Sequence, residues 1–165
     1  MSTSPELESD AAGAGFKAFL WRSLELLRSE APTAYARMCT GVPSQVVIRV
    51  GWEEVSLRFQ GSRVELVADA DVAMAPAVLL ATSAATILDL IDGRTTLLDA
   101  ALFDVLLLRG SAVDVAAFYD GTIAYLQGAV RSPGFPALLR RYRRTLTAAR
   151  SATNQEREEG DTHGS

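Results

Sequence analysis

The residues that could do chemistry are few in this chain of 165 residues. It has one histidine (His163), one lysine (Lys17), one cysteine (Cys39) and fifteen arginines. A Ser-His-Asp triad needs a positioned imidazole, and most zinc sites need histidine or paired cysteines. His163 sits in a polar stretch near the final residue, where no imidazole is held in place. Cys39 alone makes neither an internal disulfide nor a cysteine-based metal site, and reads as an inert, partly buried thiol. Asp69 and Asp71 stand two apart at an expected strand end and could share a cation. Two oxygen ligands rarely hold one, so a solvated strand end is expected. Asp89, Asp92, Asp99 and Asp104 lie in a helix-rich stretch, where capping and solvation account for them. Gly13-Ala14-Gly15 precedes a helix but lacks the preceding strand and third glycine of a dinucleotide site. Lys17 has no Gly-Lys-Ser/Thr context, so there is no phosphate loop. No metal or cofactor is expected.

The elements that would position these residues follow from length and pattern. With 48% hydrophobic residues, the chain fits one domain with its own core. No run approaches the roughly 18 apolar residues of a membrane span. The first ten residues carry Glu6, Glu8 and Asp10 and no base, unlike a secretory leader. With a single cysteine, a cytoplasmic location is expected.

Phe16, Phe19, Leu20, Leu24, Leu27 and Ala31 recur at helical spacing, and a short helix with Tyr35 and Met38 follows Pro32. The period then becomes two. Val46, Ile48 and Val50, then Val55, Leu57 and Phe59, then Val64, Leu66 and Ala68 read as an antiparallel meander turning at Gly61. A short strand is expected at Val78–Ala81 and a last, fully buried one at Val105–Leu108. Ser83, Thr96 and Ser111 are expected helix N-caps, the last two with Asp three positions on. The helix after Ser111 should turn Val115, Phe118, Tyr119, Ile123, Leu126 and Val130 inward. The twelve aromatic side chains are expected in the core by default. The expected domain runs over residues 14–150, between a flexible 1–13 and a disordered polar 151–165.

The net charge of −4 hides an uneven distribution. Residues 131–150 hold six arginines and no acid. On the expected helix 136–150, Leu138, Leu139, Tyr142 and Leu146 share one side of the wheel. Arg140, Arg141, Arg143 and Arg144 take the other. The apolar side would dock on the domain. The arginine side is a candidate surface for an anionic membrane or an acidic protein partner. The remainder of the domain is acidic and aromatics hardly interleave with the bases, so no nucleic-acid partner is expected.

One stretch carries a more specific pattern. Ile87-Leu88-Asp89-Leu90-Ile91-Asp92-Gly93-Arg94-Thr95-Thr96-Leu97-Leu98-Asp99-Ala100 leads into Val105-Leu106-Leu107-Leu108-Arg109-Gly110. This resembles the signature of the sterol carrier protein 2-like domain family. There a helix ends in Leu-x-x-Gly-Lys, a short helix containing Ala follows, and a Gly-Lys-Leu-Lys-Ile-x-Gly strand comes next. Gly93, Arg94, Ala100, Leu106, Leu108 and Gly110 match in register. Leu97 stands where the family has Pro, and Asp104 where it has Gly. The resemblance implies an α+β sandwich: a mainly antiparallel five-stranded sheet covered by helices, with an internal hydrophobic tunnel. It implies binding or carriage of a hydrophobic small molecule or lipid (a sterol, fatty acyl or isoprenoid-like chain) without catalysis. Candidate ligand-binding residues are Ile87, Leu88, Ile91, Leu98, Leu102, Leu106, Leu108, Phe118 and Tyr119. Two further readings stay open. One is an accessory protein that presents a greasy intermediate to partner enzymes. The other is a cofactor-free cyclase or isomerase, for which Tyr119, Tyr125 and Arg109 are the available groups.

Overall fold

Period-two sequence forms the sheet and period-3.6 sequence covers one of its faces. The computed structural model describes residues 15–67 and 75–161. In chain order the elements are α1 (Phe16–Glu30), α2 (Pro32–Gly41), β1 (Gln45–Val50), β2 (Glu53–Gln60), β3 (Arg63–Val67), β4 (Val78–Thr82), α3 (Ala84–Ile91), α4 (Leu97–Leu102), β5 (Leu106–Gly110), α5 (Ala112–Arg131) and α6 (Phe135–Asp161). Asp69, Asp71, His163 and the first thirteen residues lie outside the described residues.

The sheet order is β3-β2-β1-β4-β5. The β1–β2 and β2–β3 pairs form the expected antiparallel meander, with Ile48 opposite Val55 and Leu57 opposite Leu66. Gly61 takes φ +59° in the β2–β3 turn, a conformation glycine adopts without a Cβ penalty. β4 joins β1 in parallel, and β5 pairs antiparallel with β4. The sheet is therefore mixed, with three antiparallel pairs and one parallel pair.

Alternation gives the sheet two unlike faces. Val46, Ile48, Val50, Val55, Leu57, Val78, Leu80 and Leu106 are buried on the inner face, under the helices. The expected full burial of the last strand does not occur. β5 lies at the sheet edge, so its other face is open, and Leu107 is 45% exposed. Trp52 in the β1–β2 turn and Phe103 after α4 also depart from the expected aromatic core, at 93% and 76% exposed.

The caps are where the side-chain chemistry puts them. Ser83, Thr96 and Ser111 accept from the backbone N–H groups of Thr86, Asp99 and Asp114. α3 ends in a Schellman motif: Arg94 N–H donates to Asp89 O (2.8 Å), and Gly93 N–H donates to Leu90 O with φ +69° at Gly93. α1 begins on a borrowed cap. The Glu53 carboxylate, from the start of β2, accepts from the Phe16 and Lys17 N–H groups (2.9 and 3.2 Å).

α5 is rotated from its expected face. Its buried residues are Phe118, Gly121, Ala124, Gly128 and Ala129, while Val130 is 83% exposed. Small residues at 121, 124 and 128 let α5 approach α1 and α2 closely. A Cβ on Gly128 would lie 2.9 Å from Ala34 Cβ and 3.0 Å from Leu27 Cδ2.

α6 docks as expected through Tyr142, with Leu138, Leu139 and Leu146 packed against the core. Phe19 and Tyr142 stack with ring centroids 4.4 Å apart. The helix continues beyond Arg150 to Asp161. Ala148, Ala149, Ala152 and the Arg and Glu residues that follow favour helix, and no proline or glycine intervenes before Gly160.

Candidate functional site

Helices packed on the inner face of the sheet leave a gap. It is a cavity of about 120 Å³. α1 contributes Phe16, Phe19, Leu20 and Leu24, and the α2 end contributes Met38 and Val42. The sheet floor supplies Ile48, Leu57, Phe59 and Leu80. Ile87, Leu90 and Ile91 of α3 and Leu97 of α4 close one side. Phe118, Gly121, Thr122, Tyr125 and Leu126 of α5 close the other. Val42, Ile87, Leu90, Ile91, Thr122 and Leu126 are only half-buried and mark where the space nears the surface.

Among the described residues, no lining residue is charged. The two polar side chains among them already have partners. Tyr125 Oη donates to Ser23 Oγ at 2.8 Å, and Ser23 Oγ donates to Leu20 O at 2.7 Å. Thr122 Oγ1 donates to Phe118 O at 2.9 Å. Burial pushes the Tyr125 phenol up to about 12, partly offset by its bond to Ser23. It stays neutral at ordinary pH. The wall can accept a hydrogen bond but has no spare donor and no cation.

Three of the nine candidate ligand-binding residues line this space: Ile87, Ile91 and Phe118. Leu106 is buried and Leu88 and Leu108 pack against the core, but none reaches the cavity. Leu98 and Leu102 are 60% and 70% exposed. Helical geometry explains this. α4 has six residues and turns Leu97 and Ala100 inward, so Leu98 and Leu102 share the opposite side. Tyr119 is 38% exposed because α5 presents positions 118, 121, 122 and 125 to the cavity.

Of the groups available to a cyclase or isomerase, only Tyr125 meets the cavity. Arg109 is exposed on the outer face of β5. Cys39 is buried, which pushes its thiol up and makes it a poor nucleophile. Among the described residues no cluster of His, Cys, Asp and Glu could hold a metal ion, and no helix is long and apolar enough to cross a membrane.

Sequence pattern did not distinguish most lining residues. Phe16, Phe19, Leu20, Ile48, Leu57 and Phe59 were legible as the inward sides of their elements. A cavity wall and a packed core carry the same apolar signal. Gly121 and Thr122 carried no apolar signal at all.

The arginine side of α6 divides. Arg140 and Arg144 are exposed, as is Arg141. Arg143 instead forms an ion pair with Asp92, whose other oxygen pairs with Arg94 at 3.0 Å. Arg143 thus tethers α6 to the end of α3.

No family model matches the chain, and no curated protein does. Solved structures do. The UbiJ-SCP2 ubiquinone synthesis protein is similar at 18% identity and TM-score 0.44, over 75% of this chain and 96% of that one. Sterol carrier protein 2 of Yarrowia lipolytica, in its apo form, is similar at 11% identity and TM-score 0.48, over 73% and 94% of the two chains. The sterol carrier protein domain 2 of Helicoverpa armigera is similar at 15% identity and TM-score 0.46, over 79% and 96%. All three of these structures carry sterol carrier protein 2 in their names.

Proposed function

We propose that this protein binds an uncharged hydrophobic molecule, or the hydrocarbon part of a lipid, in the cavity between sheet and helices, without making or breaking bonds. A cavity wall with no charged side chain among the described residues carries this reading. Transfer of apolar surface from water is favourable by about 25 cal/mol per Å². A cavity of about 120 Å³ is close in size to an engineered apolar cavity of about 150 Å³ that stays dry and admits benzene. A longer chain would leave through the half-buried residues between α3 and α5, or would part them.

The wall chemistry sets the ligand class. An ionised carboxylate placed inside would lose its hydration and find no cation, which costs several kcal/mol. A hydrocarbon, ester or alcohol would not meet that penalty. The Tyr125 oxygen is left able to accept one hydrogen bond from an alcohol.

The test is binding of neutral diphenylhexatriene, with extraction of the purified protein into organic solvent. Saturable fluorescence at one probe per chain is expected, displaced by an apolar ester and poorly by the ionised fatty acid of equal length. Absence of saturable binding, or preference for the ionised acid, would refute the reading.

Exposed Arg140 and Arg144 favour a second reading, in which the loaded protein presents its ligand to an acidic partner or anionic membrane. Arg140→Glu and Arg144→Glu together should abolish sedimentation with vesicles rich in phosphatidylserine while leaving probe binding intact. Unchanged sedimentation of the double variant would reject the membrane version.

A further inference from the structure

Among the described residues, large apolar side chains are exposed at nine positions, and five of these fall between Leu98 and Leu107. Leu98 and Leu102 form the outer side of α4, Phe103 follows it, and Val105 and Leu107 continue along the approach to β5 and β5 itself. α4 packs against β5, so this is one patch and not scattered residues.

The patch ends on an open sheet edge. Among the described residues the far side of β5 faces no other strand, so every second residue points its backbone N–H and C=O outward. The opposite edge, β3, carries exposed Arg63 and Glu65, the kind of charges that discourage edge pairing. β5 reads Leu-Leu-Leu-Arg-Gly and has one charge.

The charges at its ends are complementary. Asp104 stands just before β5 and Arg109 near its end. Both are exposed, and neither has an ion-pair partner among the described residues. Asp104 holds φ +57°, a left-handed conformation that costs a non-glycine residue about 1 kcal/mol. A glycine would stand there at lower cost but would not put a carboxylate at that corner.

We propose that β5 pairs antiparallel with β5 of a second copy of this chain, about a two-fold axis through Leu107. Such an axis is perpendicular to the sheet and keeps each face on its own side. Leu107 then faces Leu107 of the other copy, and Val105 faces Arg109. Asp104, just ahead of β5, then stands opposite Gly110 of the other copy and one position from its Arg109, so both ends of the joined strands bring unlike charges near each other. The patch residues Leu98, Leu102 and Phe103 flank the seam from both copies. A two-fold contact is self-complementary, so one patch serves both partners. A lipid surface suits the patch less well, because exposed Asp99 and Asp104 fall within the same stretch.

Cross-linking tests the register. Facing residues of an antiparallel pair have Cα atoms about 4.5–5.5 Å apart, within disulfide range. Leu107→Cys is expected to give a disulfide dimer under mild oxidation, and Arg109→Cys alone should not, because the two 109 positions lie four residues apart along the strands. Charge exchange tests the chemistry. Arg109→Glu and Asp104→Lys should each weaken the dimer at least about tenfold, since the axis repeats the repulsion twice. An equimolar mixture should restore it as a heterodimer, with both contacts attractive again. Circular dichroism reports that each variant is folded. A wild-type monomer in sedimentation velocity would overturn the proposal. So would a folded Leu107→Cys that never cross-links, or a patch whose substitution (Leu102→Ser with Phe103→Ser) alters only binding to phosphatidylcholine vesicles.

Discussion

Tyr125 Oη donates a 2.8 Å hydrogen bond to Ser23 Oγ, joining α5 to α1 across 102 positions of sequence at the wall of the cavity. It is a polar seam in a wall whose one other polar side chain among the described residues is Thr122. Ser23 is fully buried and donates its own hydrogen bond to Leu20 O. Tyr125→Phe should lower the unfolding free energy by about 1 kcal/mol, read by urea denaturation. Diphenylhexatriene should bind the variant within threefold of wild type, since a hydrocarbon makes no use of the hydroxyl. An alcohol-bearing ligand should bind more weakly. Equal loss for both would show that the seam shapes the cavity and does not contact the ligand.

Alkaline stability follows from two phenols. Burial pushes Tyr125 up to about 12, and burial with the nearby Glu53 carboxylate does the same to Tyr142. The unfolded chain ionises its tyrosines near 10. Between about 10 and about 12 the unfolded state has therefore released protons that the folded state retains, and stability falls as pH rises. Below 10 both states are protonated and this contribution is constant. The melting temperature should drop steeply above pH 10, and less steeply in Tyr125→Phe and Tyr142→Phe. A flat profile to pH 12 would contradict the burial of both hydroxyls.

Filling the cavity separates binding from folding. Leu80 is 4% exposed and forms part of the sheet floor. Leu80→Trp places a larger side chain into space that is otherwise empty. Probe affinity should fall at least about tenfold, while overpacking costs stability by no more than about 1–3 kcal/mol. Fluorescence titration beside thermal melting reads both. Undiminished affinity in a folded variant would place the ligand elsewhere.

Close approach of α5 makes Gly128 a sensitive position. A methyl there meets Ala34 Cβ at 2.9 Å and fully buried Leu27 at 3.0 Å. Alanine gains about 1 kcal/mol in helix propensity, but the clash lies in packed helix–helix contact and should win. Gly128→Ala is expected to destabilise by about 1–2 kcal/mol in urea unfolding. A stabilised variant would mean that α2 can move away.

The tether on α6 should matter little to stability. The Arg143–Asp92 pair is partly exposed, at 43% and 20% for the two side chains. Pairs of that kind contribute about 0–1 kcal/mol. Arg143→Ala should shift unfolding within that range, with the difference shrinking in high salt. A larger loss would give the pair a role beyond tethering.

Much of this architecture is legible in the residues alone, wherever a local rule acts by itself. Alternation assigned the inner residues of β1 to β3, and a side-chain oxygen three positions before an N–H gave the caps at Ser83, Thr96 and Ser111. The family pattern that Gly93 matches marked the end of α3, where glycine is free to take φ +69°. The apolar side of α6 was equally clear, since Leu138, Leu139, Tyr142 and Leu146 cluster on any α-helical wheel. Each is a consequence of backbone period or cap geometry within one element.

Tertiary structure decided the remainder, because it depends on which elements become neighbours. A Leu-Leu-Leu run reads as buried, yet β5 lies at an edge and leaves Leu107 open. The most apolar side of α5 reads as its inward one, yet Gly121, Ala124 and Gly128 face the core because small residues allow helices to approach closely. Leu98 and Leu102 share a motif with Leu97 and point the other way. The cavity itself is the clearest case. It is space that side chains from α1, α2, the sheet, α3, α4 and α5 fail to fill, and no single element's pattern records a gap between elements.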